Sequence, residues 1–197
     1  MSPIEELIDA LADPSRADEA RCALLQMGWD GVEPLLRALP GASVKLAWEI
    51  INLLAKFRDP RAVLPVADFL HAENGALRVA AAQTLGLIGH RSATMLLLRA
   101  MDDNQQSGAI VWIVQALGRI GDPRATDPLI SLMQETDSPA VRYTAIEAVG
   151  LIGDQRAADV IEMYLDDSSH HVRARAEVAL ARLRGRQYPG TLSLSGT

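Results

Sequence analysis

A single cysteine, Cys22, stands in a chain of 197 residues, which leaves no partner for an intrachain disulfide and no Cys-rich zinc site. A reducing compartment is the simpler setting for such a chain. Aromatic residues are scarce, 4% of the chain against 49% hydrophobic overall. Apolar content carried by aliphatic and alanine side chains suits closely packed helices rather than a sheet rich in aromatic and β-branched residues. Positive charge is not in excess: the formal net charge is −6 and the pI is near 5.2, which argues against bulk attraction to nucleic acid or to an anionic membrane. No apolar stretch approaches 18 residues without a charge, and Met1-Ser2-Pro3-Ile4-Glu5-Glu6 carries acid where a signal peptide carries base. The expectation is a soluble, cytoplasmic protein with no membrane partner.

Catalytic and metal-binding patterns are missing as well. No Gly-rich phosphate loop with Lys-Ser/Thr follows a strand, because no strand is legible. The histidines are His71, His90, His170 and His171, and none is followed by glutamate; the pair His170-His171 reads as surface in an inter-helix turn. Cys22 lies near Asp18 and Glu19, neighbours that oppose nucleophilic reactivity, so it reads as a small packing residue. No catalytic residue, no metal ligand and no cofactor is expected from these patterns.

What the chain does have is a period. Leu85-Gly86-Leu87-Ile88-Gly89, Leu117-Gly118-Arg119-Ile120-Gly121 and Val149-Gly150-Leu151-Ile152-Gly153 are the clean copies of one phrase, with degenerate copies starting at Leu24, Leu54 and Leu180. The six starting positions are 30, 31, 32, 32 and 31 residues apart, an interval that marks a solenoid of stacked supersecondary units. Residues 122–153 show one unit. Asp122-Pro123 opens a first helix, as a capping acid followed by a proline whose missing N–H has no partner in a first turn. Leu129, Ile130, Leu132 and Met133 form its apolar stripe. Pro139 opens a second helix that buries Val141, Ala145, Ala148, Val149 and Ile152 and ends at Gly153. The register predicts first helices at 3–12, 31–39, 60–71, 91–102, 123–134 and 155–166, kinked by Pro34, Pro65 and Pro128. It predicts second helices at 15–27, 43–57, 75–88, 106–120, 139–152 and 170–184. Gly86, Gly118 and Gly150, inside helices where glycine costs roughly 1 kcal/mol relative to alanine, point to close helix contacts.

Asp-Pro-Arg-Ala at the head of a unit, proline in the first helix, Val-Arg opening the second and Leu-Gly-x-Ile-Gly at its end together resemble the HEAT-like repeat, specifically the short phycobilisome-lyase type. The resemblance covers about residues 1–185. It implies an all-α, right-handed α-α superhelix of about six two-helix repeats, read as one domain over 1–185, with 186–197 as a capping or disordered tail. It implies an Asp–Arg ladder between repeats, here Asp59, Asp122 and Asp154 with Arg78, Arg142 and Arg173; Ala47 and Ile110 replace the arginine in the second and fourth units. It also implies that second helices line the concave face.

On that register the lining includes Trp48, Glu49 and Asn52, then Val79 and Gln83, then Val111, Trp112, Gln115 and Arg119, then Tyr143 and Glu147, then Arg175 and Arg182. Two of three tryptophans fall there, and rings of this kind supply much of the energy at interface hot spots. Charge is graded from Asp18 and Glu19 in the first unit to Arg175, Arg182, Arg184 and Arg186 in the last. The leading expectation is a non-catalytic scaffold or adaptor that binds a protein partner in this groove, as part of a hetero-oligomer or otherwise. The alternative, carried by the resemblance alone, is a subunit of a bilin lyase or chromophore chaperone with a linear tetrapyrrole in the same groove. Nucleic-acid binding through the C-terminal arginines, including Arg173, is a third and weaker reading.

Overall fold

A computed structural model describes residues 2–104 and 108–185. The expectations for the tail at 186–197 and for Arg186 lie outside the described residues. Twelve α-helices are present among them: α1 (Pro3–Ala10), α2 (Ala17–Gln26), α3 (Val32–Ala38), α4 (Val44–Phe57), α5 (Val63–Ala67), α6 (Gly75–Ile88), α7 (Thr94–Asp103), α8 (Ile110–Ile120), α9 (Thr126–Glu135), α10 (Pro139–Ile152), α11 (Ala158–Glu162) and α12 (His170–Leu183). Odd-numbered helices are the first and even-numbered the second of each repeat. The fold is the all-α solenoid class that the period implies. The chain divides into two compact units, Met1–Ala116 and Leu117–Thr197.

The second helices form where the sequence places them because both ends are signalled. Ser43 and Ser138 accept from backbone N–H groups two residues into α4 and α10, and Asn74 does the same for α6. At the other end Gly89 and Gly153 take φ of 70° and 79°, the left-handed cap that glycine adopts without strain. Arg58 occupies the same slot after α4 at φ 52°, the degenerate copy of the phrase.

The first helices differ from expectation. Each from the second repeat on opens with a 3-10 turn, such as Pro60–Ala62 before α5 and Pro123–Ala125 before α9. Pro34, Pro65 and Pro128 therefore sit third in α3, α5 and α9, at the junction of 3-10 and α geometry. There the missing N–H falls within the first α turn, so the proline marks a change of helix type rather than a mid-helix kink.

In unit 1 the core runs through Leu24, Leu35, Ile50, Leu54, Leu70, Leu85 and Leu97, all fully enclosed. In unit 2 it runs through Leu117, Leu129, Ala145, Val149, Ile161 and Ala176. The in-phrase glycines of unit 2 mark the tightest packing. A Cβ built on Gly118 would lie 2.7 Å from Ala148 Cα, and one on Gly150 would lie 2.8 Å from Ala179 Cβ.

Candidate functional site

An α-helix turns 100° per residue, so two adjacent positions on a second helix cannot both face outward equally. In unit 1 the outward position holds Trp48 on α4, 42% exposed, and Val79 and Val111, both half-buried. The next position turns toward the neighbouring second helix. Trp112 remains half-buried there, but Ala80 is buried, and Glu49 is 6% exposed. Glu49 is therefore not a groove residue. It accepts two hydrogen bonds from Arg21 Nη1 of α2, at 3.1 and 2.9 Å, and Arg21 also pairs with Asp18. Asn52, Gln83 and Gln115 follow three or four residues on and are half-buried; the Asn52 amide donates to the Trp48 carbonyl at 2.7 Å. Lys56 and Leu87 close the face, both exposed.

Unit 2 repeats the arrangement with different chemistry. Tyr143 and Glu147 on α10 are half-buried while Thr144 between them is sealed in and donates to the Ala140 carbonyl. Arg175 of α12 donates to Glu147 at 3.1 Å. Tyr143, His171, Ala174, Arg175 and Val178 line a cavity of about 310 Å³, with the Tyr143 and His171 rings 6.3 Å apart. His171 belongs to the first turn of α12 rather than to a turn outside it. Arg119 and Arg182 are exposed. The arginine cluster at the C-terminal end offers less free charge than its sequence suggests. Arg173 donates to the Asp167 and Ser168 carbonyls, and Arg184 pairs with Glu162 at 2.7 Å. The side chain of Arg182 makes no ion pair among the described residues.

The expected ladder resolves into two separate devices. Asp59 caps its own 3-10 turn and grips Arg61 at 2.6 Å; Asp122 engages Arg124 and Asp154 engages Arg156 in the same way. These are i to i+2 clasps within an Asp-Pro-Arg or Asp-Gln-Arg turn. Arg78, Arg142 and Arg173 instead donate to carbonyls at the ends of the preceding first helices, Arg78 to Ala72 and Arg142 to Thr136, orphan acceptors that a basic side chain satisfies well. The link from Arg142 to the next repeat runs to Asp167, at 3.1 Å, a residue of the turn between α11 and α12.

The clasp has a pH consequence. The Arg61 side chain holds the Asp59 carboxyl below its ordinary value, against the opposing effect of burial, and Arg156 does the same for Asp154. A carboxyl whose folded pKa is depressed adds stability that is complete above its unfolded pKa of about 3.9 and fades as pH falls through the folded value. Asp59→Asn is accordingly expected to flatten the fall of Tm below about pH 4 relative to the parent chain. An identical acid slope in thermal melts would remove the clasp from the account.

Several features went unanticipated. Cys22 is exposed rather than packed, because the buried stripe of α2 is Ala17, Ala20 and Leu24. Trp29, in the 3-10 turn before α3, is 63% exposed. On the first-helix layer of unit 1, Leu36, Leu39, Pro40, Leu64, Pro65, Asp68 and Phe69 line an apolar cavity of about 440 Å³. One signal for it was available: Leu64 stands in the slot that holds Glu33 and Asp127 in other repeats. Among the described residues no group of three or more His, Cys, Asp and Glu side chains is placed to hold a metal, and no helix is long and apolar enough to cross a membrane.

Residues 32–111 and 109–181 match the family of HEAT repeats. Comparison with curated proteins gives no match. Among solved structures, the chain is similar to the complex of CpcE and CpcF of phycocyanin lyase from Nostoc sp. PCC7120, at 22% identity and TM-score 0.61, covering 93% of this chain and 77% of that one. It is also similar to a designed armadillo repeat protein in complex with the peptide (KR)4, at 17% identity and TM-score 0.65, covering 92% of this chain and 100% of that one. At these identities the likeness concerns the fold.

Proposed function

This chain belongs to the HEAT-repeat family, and from that premise we propose that it is a non-catalytic scaffold that binds another protein through the outward positions of its second helices. One observation carries the reading. A chain with few aromatics leaves Trp48 exposed and Tyr143 partly so at these positions, and Trp112 partly so at the next one, where Glu49, Ala80 and Thr144 are sealed. Large rings held on helices lose little conformational entropy on contact, which is why Trp and Tyr dominate interface hot spots. Neighbours of the same fold meet polypeptides: CpcE and CpcF form a complex with each other, and the designed armadillo protein holds a peptide.

The test begins with a partner captured from native extract on the intact chain and identified by mass spectrometry. Trp112→Ala and Tyr143→Ala are each expected to weaken its binding by about 30-fold or more, the effect of losing a hot-spot ring, with helical circular dichroism unchanged. Undiminished affinity in both folded variants would overturn the assignment.

A second reading has its own observation. The unit 2 cavity joins an aromatic ring, His171 and Arg175, a combination that suits a flat ligand bearing carboxylates, such as the propionates of a linear tetrapyrrole. Titration with a bilin that leaves its absorption spectrum unshifted would dismiss this reading.

A further inference from the structure

Resting on the protein-partner reading, we propose that the occupant of the second-helix face of unit 1 is a proline-rich segment in the polyproline II conformation, with its prolines repeating every third residue. Three carboxamides carry the argument. Asn52, Gln83 and Gln115 occupy one register position on α4, α6 and α8, 31 and 32 residues apart, and all are half-buried. The side chains of Gln83 and Gln115 make no hydrogen bond among the described residues. The Asn52 amide is engaged by the Trp48 carbonyl, which leaves its oxygen to accept. A carboxamide donates and accepts, the same complement as a peptide group, so a column of three is matched to a main chain.

Spacing selects the conformation of that main chain. Packed helix axes lie about 8–10 Å apart. A β-strand advances about 3.3 Å per residue, so one repeat corresponds to three residues, and the strand's period of two turns every second contact to the far side. A polyproline II helix has three residues per turn at about 3.1 Å each, a pitch of about 9.3 Å, and presents the same face at every repeat. It has no internal hydrogen bonds, so its carbonyls are available to the amides. An α-helical ligand satisfies its own main chain and offers the column nothing.

The remaining chemistry agrees. Trp48 stands exposed four residues before Asn52, and Trp112 half-buried three residues before Gln115; aromatic surfaces beside hydrogen-bonding groups are how proline-rich segments are held. Beyond Trp48, Glu19 is exposed on α2 with no ion pair among the described residues, so the end of the ligand over α2 carries a basic residue by charge complementarity.

The experiment is selection of a displayed library of random 16-residue peptides on the intact chain, with counter-selection on Trp48→Ala, an exposed position whose loss spares the fold. Enriched sequences are expected to carry prolines at i, i+3 and i+6. A synthetic representative is expected to lose about 3- to 10-fold in affinity against Gln83→Ala, the effect of one hydrogen bond, with circular dichroism confirming the helix content of both variants. Enrichment of Trp48-dependent peptides without prolines at that interval, or indifference to Gln83→Ala, would overturn the inference while leaving the peptide-binding reading in place. Absence of any Trp48-dependent enrichment would overturn both.

Discussion

Gly118→Ala is expected to lower the unfolding free energy by about 2 kcal/mol, although alanine is the better helix former. On an exposed helix the substitution would gain roughly 1 kcal/mol. Here the added methyl would lie 2.7 Å from Ala148 Cα and 2.8 Å from Ala148 Cβ, far inside the 3.5–4.0 Å at which carbon atoms attract. Part of that contact is main chain, so α8 residues near Gly118 and α10 must move apart, and overpacking of this kind costs about 1–3 kcal/mol or more. Gly150→Ala should behave likewise but with a partial remedy. Its nearest contact is the Ala179 Cβ at 2.8 Å, with Cα at 3.0 Å, so Ala179→Gly is expected to restore some of the loss. Urea unfolding of the two single variants and the Gly150→Ala/Ala179→Gly pair measures this directly, and a gain in stability for Gly118→Ala would show that the helices do not approach as described.

Arg21→Ala is expected to lower Tm by about 5 °C. The Glu49 side chain is 8% exposed and accepts two bonds from the one guanidinium nitrogen. Removing that donor leaves a carboxylate inside the α2–α4 contact with its charge uncompensated, the situation in which breaking an ion pair is most damaging. The 36% exposure of the Arg21 side chain limits the loss by admitting water. Arg21→Met together with Glu49→Leu is expected to recover most of the fall, since a well-packed apolar pair often replaces an ionic one without penalty. A neutral Arg21→Ala in thermal melts would place Glu49 back on the accessible face.

The period was legible because each element carries chemistry that only one conformation satisfies. The bounds read for α6 and α10 coincide with those observed, since Asn74 and Ser138 cap one end and Gly89 and Gly153 the other. Gly118 and Gly150 were legible as close contacts because nothing else justifies glycine inside a helix. Glu49 was misplaced because it is one residue from Trp48, and a rotation of 100° separates groove from contact. The ladder was misread because the acceptors of Arg78 and Arg173 are main-chain carbonyls, which have no sequence identity. The aspartates had already been claimed by arginines two residues away. His170-His171 was read as inter-helix surface although the register starts the second helix at 170; α12 does start there, which brings the His171 ring to 6.3 Å from that of Tyr143.

The central claim is that the outward positions of the second helices, with Trp112 beside them, are the contact surface, and the three tryptophans report on it. Variants that keep one tryptophan and replace the others by phenylalanine isolate Trp29, Trp48 and Trp112. On saturation with the bound partner, Trp48 and Trp112 are expected to shift to shorter emission wavelength and to gain protection from acrylamide. Trp29, already 63% exposed in the turn before α3, is expected to stay unchanged. A response from Trp29 with none from Trp48 and Trp112 would contradict the account.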